Sequence, residues 1–280
     1  MELTDKNCLV VGGSGAIGAA VARMFSSEGA RVMLTLRSRS RVPMLSSEDK
    51  ILRACQTCSL VDVRDRRQVA RVVRRTVNAF GALHVVVNCT GVLGPIGPIH
   101  KLCAQRWAEN IETNLIGSFN LIHAALPLML HQKYGKIICF SGGGATYGRP
   151  FFTAYSAAKA ALVRLIESVA AEVRDSGVDI NAIAPGPVKS RLWEQLRHAG
   201  TGAGRRALEE LRQIERTGGV PPERAASLAL FLASERSNGL SGRLISCVHD
   251  KWNALESQIA TLKQSDAGML RRVPFERAEL

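Results

Sequence analysis

Near its N-terminus the chain reads Asn7-Cys8-Leu9-Val10-Val11-Gly12-Gly13-Ser14-Gly15-Ala16-Ile17-Gly18. The first five residues are typical of a buried β-strand, and the glycine cluster leads into an amphipathic segment, Ala19–Glu28. A second strand-like run, Arg31–Leu36, comes next. This order of strand, glycine turn, helix and strand predicts a βαβ unit that binds a dinucleotide. The missing side chains let a pyrophosphate approach the backbone, and the helix N-terminus offers it unpaired N–H groups.

Strand-like and helical segments continue to alternate along the chain. Further strands are predicted at Cys58–Val63, Leu83–Val87, Lys136–Phe140, Val178–Ile183 and Arg243–Val248, and further helices at Arg66–Phe80, Trp107–Leu130, Thr153–Asp175 and Pro222–Leu232. This alternation predicts an α/β fold: a single-domain, Rossmann-type, doubly wound parallel sheet with helices on both faces. Ligands of such sheets bind at the carboxyl ends of the strands, which is where the glycine clusters of this chain fall.

The composition is that of a soluble globular protein, with 46% hydrophobic and 22% charged residues among 280. No apolar run approaches the 18 residues or more of a membrane span, and the N-terminus is polar, so we expect a cytoplasmic protein without a membrane partner. Most of the seven cysteines lie in apolar surroundings and are expected to be reduced. Cys55 and Cys58 have C-x-x-C spacing, but without a second pair or a His-rich segment we expect no metal site.

The formal net charge of +13 favours anionic partners. The arginines are scattered, however, and are not interleaved with aromatic residues as in a nucleic-acid-binding module. We therefore expect no nucleic-acid partner, and nucleic-acid binding remains a weak alternative.

The end of the second predicted strand bears on the choice of dinucleotide. An acidic residue there would bind the ribose 2′-OH, whereas an arginine would neutralise a 2′-phosphate. The sequence has Leu36-Arg37-Ser38-Arg39, and no acid until Glu48. This favours NADP, with NAD as the alternative if Arg37 only stacks on the adenine.

Tyr155 and Lys159 lie four residues apart within a predicted helix, and so share one face. A cation beside a phenol favours the phenolate and lowers its pKa, which suits a group that moves a proton near neutral pH. The pair alone is weak evidence, because many helices carry a tyrosine and a lysine at this spacing.

Taken in order, the motifs resemble those of the short-chain dehydrogenase/reductase family, over about residues 6–250. The glycine turn is matched by Gly12 and Gly18, with Ala16 in place of the middle glycine. The other matching positions are Asp62-Val63, Asn88-Cys89-Thr90-Gly91, Asn114, Tyr155 with Lys159, and Pro185-Gly186 followed by Val188 and Ser190. The resemblance implies that the cofactor is bound by Gly12, Ser14, Ile17, Gly18, Arg37, Asp62, Val63, Asn88, Gly91, Tyr155, Lys159, Pro185, Gly186, Val188 and Ser190.

The resemblance also implies a reaction, the transfer of a hydride between NADP(H) and a carbonyl or alcohol substrate. Tyr155 would exchange a proton with the substrate oxygen, and Lys159 would lower the pKa of Tyr155 and bind the nicotinamide ribose. Asn114 would anchor a water molecule that relays protons to Lys159. Ser141 completes the expected catalytic set.

The assignment of Ser141 rests on a departure from the family pattern. Where the family carries its catalytic serine, this chain has Gly142. A one-residue bulge would bring Ser141 into the site, or Thr146 or Tyr147 would supply the hydroxyl, or no protein hydroxyl does. The alternative function is therefore a cofactor-binding protein with weak or no reductase activity.

By the same resemblance, residues 1–250 form the dinucleotide-binding domain, with a substrate lid at about 189–220, and residues 251–280 are a C-terminal extension. Arginines in the lid are compatible with an anionic substrate such as a nucleotide-linked sugar or an acyl thioester. The family resemblance further implies a homo-oligomer, either a dimer or a tetramer.

Overall fold

A computed structural model describes residues 1–38 and 57–273 of the chain. Its central element is a sheet of seven parallel strands in the order β3-β2-β1-β4-β5-β6-β7. The strands are β1 Asn7–Val11, β2 Arg31–Leu36, β3 Thr57–Leu60, β4 Val85–Asn88, β5 Gly135–Phe140, β6 Val178–Ala184 and β7 Leu244–Ser246. The order reverses between β1 and β4, which creates the crevice where doubly wound sheets bind ligands. The predicted parallel, doubly wound sheet is confirmed.

The helices cover both faces of the sheet. They are α1 Ala16–Ser27, α2 Arg66–Phe80, α3 Ala104–Ile111, α4 Gly117–Gln132, α5 Thr153–Glu172, α6 Arg191–Ala199, α7 Arg205–Thr217, α8 Pro222–Ala233 and α9 Ile259–Leu262. Successive strand residues point to opposite faces, so Val10 packs with α1 and α8, whereas Leu9 and Val11 pack with α2, α4 and α5. The result is two apolar cores with the sheet between them.

The long helix predicted at Trp107–Leu130 is divided by a π-helical turn, Glu112–Ile116, between α3 and α4. Such turns occur often at functional sites. By length and composition the whole stretch Ala104–Gln132 could cross a membrane, but 44% of its apolar window is buried inside the protein. It therefore serves as a core helix that packs on the sheet and on α2.

The predicted lid contains two helices, α6 and α7, that the sequence analysis did not predict. The reason for the miss is their shortness: a 3-10 turn, Gly200–Ala203, separates them and interrupts the helical period. Each helix buries a narrow apolar stripe against residues near the cavity described below.

The C-terminal extension packs against the edge of the sheet as far as residue 273. The backbone N–H of Leu244 in β7 donates to the carbonyl oxygen of Gly268 at 2.7 Å, so the tail satisfies part of the edge strand. The guanidinium of Arg243 donates to carbonyl oxygens of Ser265 and Ala267 at 2.8 and 2.7 Å.

Candidate active site

A cavity of about 1230 Å³ opens at the carboxyl ends of β1, β4, β5 and β6. Its wall includes the glycine turn, the end of β2, the 89–93 segment, the start of α5 and the lid helix α6. All of the predicted site residues except Asn88 and Asn114 line it directly, and those two are buried just behind its wall.

The glycine turn is packed so closely that side chains are excluded from it. A Cβ atom on Gly13 would lie 2.1 Å from the side chain of Leu34, and one on Gly18 would lie 2.4 Å from the carbonyl oxygen of Gly12. Gly15, two residues after Gly13, is the N-cap of α1 and makes no side-chain hydrogen bond. The first turn of α1 contains no acidic residue. The N–H groups at this helix end therefore face the cavity as a site for an anion such as a pyrophosphate.

The end of the cavity at β2 presents a basic side chain. Arg37 is 53% exposed, and its Nε lies 3.8 Å from a carboxylate oxygen of Asp62. Asp62 is bound more closely by Arg64, at 2.7 Å, and this hydrogen bond is the main cause that keeps the pKa of Asp62 below its ordinary value. Arg37 is therefore only loosely committed to protein partners. Arg39 and Cys55, which figure in the sequence analysis, lie outside the described residues.

A chain of hydrogen bonds connects β4 to the π-helical turn. Thr90 Oγ1 donates to Asn88 Oδ1 at 2.6 Å, and Asn88 Nδ2 donates to Ser118 Oγ at 2.9 Å. Ser118 Oγ in turn donates to the carbonyl oxygen of Asn114 at 2.7 Å. This network fixes the cavity wall around Gly91, where a Cβ atom would lie 3.2 Å from Asn114 Oδ1.

Asn114 acts in this structure as a brace for the cavity wall. Its side-chain amide donates to the carbonyl oxygen of Val92 at 2.9 Å and to Asn110 Oδ1 at 2.7 Å. Its Oδ1 accepts a hydrogen bond from the N–H of Val92 at 3.2 Å. The side chain is therefore held by the protein, and the water relay through Asn114 stays a prediction.

Tyr155 and Lys159 lie together on α5, as predicted, and both are buried. The ammonium of Lys159 donates to the carbonyl oxygen of Phe140 at 2.7 Å and lies 5.6 Å from the centre of the Tyr155 ring. Burial lowers the pKa of Lys159 to about 8.

In the free protein burial dominates the pKa of Tyr155, and the expectation that Lys159 lowers it stays a prediction. Burial raises the pKa of the Tyr155 phenol to about 12, and the cation that partly opposes this shift is Arg149. The reason is that the Lys159 ammonium faces the Phe140 carbonyl, whereas the phenol points along the cavity wall.

Hydroxyl groups of other residues lie close to the three consecutive glycines that follow β5. A Cβ atom on Gly142 would lie 2.6 Å from Tyr155 Oη, and one on Gly143 would lie 3.2 Å from Tyr147 Oη. The hydroxyl of Ser141, by contrast, donates to the carbonyl oxygen of Lys159 at 3.4 Å. Both Ser141 and Tyr147 line the cavity, and of these two the Tyr147 hydroxyl is the one that approaches a glycine of this strip.

Comparison with known proteins places these features in a family. The model of the family described as short chain dehydrogenase matches residues 6–200. The chain is 31% identical over 245 residues to a 3-oxoacyl-(acyl-carrier-protein) reductase of Thermotoga maritima, which covers 88% of this chain and 97% of that protein. It is 32% identical over 246 residues to the oxidoreductase UcpA of Salmonella typhimurium, covering 86% and 92% of the two chains.

This chain belongs to the short-chain dehydrogenase family. It is accordingly an oxidoreductase, as its curated relatives are named. The crystal structure of levodione reductase has the same fold, with a TM-score of 0.78 over 91% of this chain and 99% of that chain, at 24% identity.

The dehydrogenase also contains long-range site contacts that the sequence patterns did not indicate, although Arg191 is one of the lid arginines considered for an anionic ligand. From the lid helix α6, Arg191 reaches Ser14 in the glycine turn, and Gln195 Oε1 accepts hydrogen bonds from the N–H groups of Leu93 and Gly94, each at 3.0 Å. These contacts join residues more than 100 positions apart. No local pattern could have revealed them, because they depend on how the lid folds back over the sheet.

Proposed function

We propose that this short-chain dehydrogenase transfers a hydride between NADP(H) and the carbonyl or alcohol carbon of a small-molecule substrate. The observation that carries the proposal is the single cavity wall on which the glycine turn, Arg37, Tyr155 and Lys159 meet. When bound, the nicotinamide supplies or accepts the hydride. The tightly packed glycine turn, which has no room for side chains, fits the pyrophosphate of the cofactor.

The preference for NADP over NAD rests on Arg37. The side chain stands at the end of β2, where dinucleotide folds bind the adenosine ribose, and it is half exposed with only a loose ion pair to Asp62. A guanidinium at this position would neutralise a 2′-phosphate. Gly12, Ser14, Ile17, Gly18, Val63, Asn88, Gly91, Pro185, Gly186, Val188 and Ser190 complete the proposed cofactor site.

The proton chemistry falls to Tyr155. Because burial raises its pKa to about 12, the phenol is protonated at neutral pH and has a proton to give to a carbonyl oxygen. Lys159 provides a buried positive charge four residues further along α5, which opposes proton return once the phenol has given up its proton.

The second hydroxyl of the site is proposed to come from Tyr147. Its Oη lies near Gly143 and the Tyr155 Oη lies near the neighbouring Gly142, and both tyrosines line the cavity, which supports a shared role at the substrate oxygen. Ser141 remains the alternative that the sequence predicted, but it would first have to break its bond to the Lys159 carbonyl. If neither hydroxyl serves, the alternative function is a cofactor-binding protein with weak or no reductase activity, since Gly142 itself has no side chain.

The substrate class is narrowed by the charges of the lid. Arg197 pairs with Glu215, and Arg205 and Arg206 lie within 4.0 Å of Glu209 and Glu210, so these arginines are partly neutralised. At the cavity wall Arg149 is itself paired with Glu210 at 2.6 Å, so an anionic substrate, such as an acyl thioester or a nucleotide-linked sugar, would have to compete with this pair. A similarity to a 3-oxoacyl thioester reductase favours the thioester.

We also propose that the protein is a cytoplasmic homo-oligomer without nucleic-acid or membrane partners. Its curated relatives are named as a 3-oxoacyl-(acyl-carrier-protein) reductase and an oxidoreductase. The exposed apolar side chains of Ile116 and Phe119, near the junction of the π turn and α4, offer a surface for a second copy.

The test is NADPH binding followed by oxidation against a panel of carbonyl compounds, with Tyr155→Phe compared with Tyr134→Phe. Tyr134 lies at the opposite end of the sheet, where the Lys6 ammonium sits 4.5 Å from its ring centre. We expect Tyr155→Phe to reduce turnover by about 10²–10⁴-fold and Tyr134→Phe to leave it unchanged. Binding of NADPH without oxidation of any carbonyl would support the noncatalytic alternative, and absence of NADPH binding would refute both.

A further inference from the structure

The lid and the glycine turn are joined by one side chain. Arg191 is the first residue of α6, and its Nη2 donates to both the carbonyl oxygen and the Oγ of Ser14, each at 3.1 Å. The two residues are 177 positions apart in sequence. Both line the cavity, so the guanidinium crosses from the lid to the turn that would receive the cofactor pyrophosphate.

The partners of Arg191 are neutral, unlike those of three other lid arginines. Arg197, Arg205 and Arg206 each lie within 4.0 Å of a carboxylate. Within the part of the chain that the structure describes, the bonds of Arg191 go to a carbonyl and a hydroxyl oxygen of Ser14. Its positive charge is thus unbalanced, and it is held at the cavity.

The location of that charge is the second part of the argument. Ser14 precedes α1 by two residues, and the α1 N-terminus already carries a partial positive charge from its unpaired N–H groups. A guanidinium beside this helix end raises the local positive potential and repels other cations. An anion that lay between the two positive groups would be attracted by both of them.

We propose that Arg191 binds the cofactor pyrophosphate and thereby couples cofactor binding to the position of the lid. This inference rests on the proposed function. The guanidinium exchanges its neutral partner Ser14 for phosphate oxygens, with bonds that are stronger because both partners are charged. The lid helix α6 then stays over the turn while the cofactor is bound, and Gln195 on the same helix keeps its bonds to the 93–94 backbone.

This role differs in kind from that of Arg37. A residue that binds the pyrophosphate acts on NADPH and NADH alike, whereas a residue that binds the 2′-phosphate separates them. A purely structural role for Arg191 would instead affect folding, and any ligand of the cavity would respond to its loss. Three ligands therefore distinguish the possibilities: NADPH, NADH and adenosine 2′-monophosphate, which lacks the pyrophosphate.

The experiment measures dissociation constants for the three ligands by quenching of tryptophan fluorescence in the full chain. The variants are Arg191→Gln, Arg191→Lys and the control Arg197→Gln, which removes an exposed lid arginine paired with Glu215. We expect Arg191→Gln to weaken the binding of NADPH and of NADH by the same factor, about tenfold or more. The affinity for adenosine 2′-monophosphate should be unchanged. Arg191→Lys, which keeps the charge, should lose less of the affinity for both dinucleotides. Arg197→Gln should bind all three ligands as tightly as the wild type.

A second readout follows the lid directly. NADPH should slow amide hydrogen exchange over residues 191–217 in the wild type and in Arg197→Gln, but not in Arg191→Gln. Equal NADPH affinity in Arg191→Gln and the wild type would overturn the inference and leave the proposed function standing. A loss of adenosine 2′-monophosphate binding equal to that of NADPH would also overturn it, because the effect would then be a general distortion. If the wild type itself bound neither dinucleotide, the proposed function would be the part that failed.

Discussion

A Cβ atom on Gly142 would lie 2.6 Å from the Oη of Tyr155, closer than any two such atoms can approach. Tyr155 is 7% exposed and packs with Phe152 and Leu196, so its ring has little room to retreat. The phenol therefore occupies the space into which a residue-142 side chain would project. Glycine at position 142 therefore has two consequences. It removes a hydroxyl from the site, and it leaves the space that the Tyr155 phenol occupies.

Restoring the family serine at this position should harm the protein. Gly142→Ser would displace the Tyr155 phenol, and a displacement of about 1 Å can cost roughly 10²-fold in rate. We expect turnover to fall by about that factor while NADPH affinity stays unchanged. Gly148→Ser is the matched control, because a Cβ atom there meets nothing within 4 Å. Faster turnover in Gly142→Ser would show that the site needs a serine at 142 after all.

Removal of the Tyr147 hydroxyl should reduce turnover more than removal of the Ser141 hydroxyl. Loss of a hydrogen-bond donor to the substrate oxygen costs about 10²–10³-fold in rate, which is the expectation for Tyr147→Phe. Ser141→Ala removes a bond to the Lys159 carbonyl and should cost about 1 kcal/mol of stability with a smaller effect on rate. Steady-state kinetics and urea unfolding of both variants decide the matter, and a larger rate loss in Ser141→Ala would place Ser141 in the site.

The buried ammonium of Lys159 should make stability rise with pH. Burial lowers its pKa from 10.5 to about 8, so between these pH values the unfolded chain holds a proton that the folded chain has lost. Unfolding then becomes less favourable as pH rises. Relative to Lys159→Met, the wild type should gain about 2–3 kcal/mol between pH 7 and pH 10 in urea unfolding of the cofactor-free protein. A difference that does not change with pH would contradict the lowered pKa.

Arg37 should determine the choice between the two dinucleotides. Arg37→Ala removes the half-exposed guanidinium at the end of β2, and we expect NADPH affinity to fall by about tenfold or more with little change for NADH. Arg75→Ala, on the exposed side of α2, serves as a control for the loss of one positive charge. Equal weakening of NADPH and NADH in Arg37→Ala would mean that the side chain stacks on the adenine without reading the 2′-phosphate.

Sequence reasoning succeeded here where a function depends on neighbours in the chain. The β1 and α1 segments, the glycines between them and the α5 pair Tyr155 and Lys159 are all set by local periodicity, steric need and spacing. It failed where burial and distant contacts decide. The pKa of Tyr155 rises because the folded chain removes water from the phenol. The spacing of Tyr155 and Lys159 in the sequence carries no information about this burial.

The same limit explains the contacts of the lid. The helices α6 and α7 are short and separated by a glycine-containing turn, so their period is weak in the sequence. Arg191 becomes a site residue only because α6 folds back onto Ser14. One of several arginines in a glycine-rich segment therefore acquires a distinct position that composition could not single out.

The C-terminal extension should depend on Arg243 for its attachment. This side chain is 7% exposed, and its guanidinium donates to the carbonyl oxygens of Ser265 and Ala267, which hold the tail on the edge of β7. Arg243→Met keeps much of the length but leaves these carbonyl oxygens without their donor, at a cost of about 2–4 kcal/mol in unfolding free energy. Amide hydrogen exchange over residues 262–272 should be faster in Arg243→Met than in the wild type.

Arg271→Met provides the comparison for this prediction. Arg271 is 40% exposed and pairs with Asp266 at 2.7 Å, and an exposed ion pair of this kind contributes at most about 1 kcal/mol. Arg271 also lies 3.7 Å from the buried carboxylate of Glu167, which has a closer partner in Arg164. We therefore expect Arg271→Met to leave the tail protected from exchange. If both variants loosened the tail equally, surface ion pairs would be its attachment, and the buried guanidinium of Arg243 would serve only to fill space beneath it.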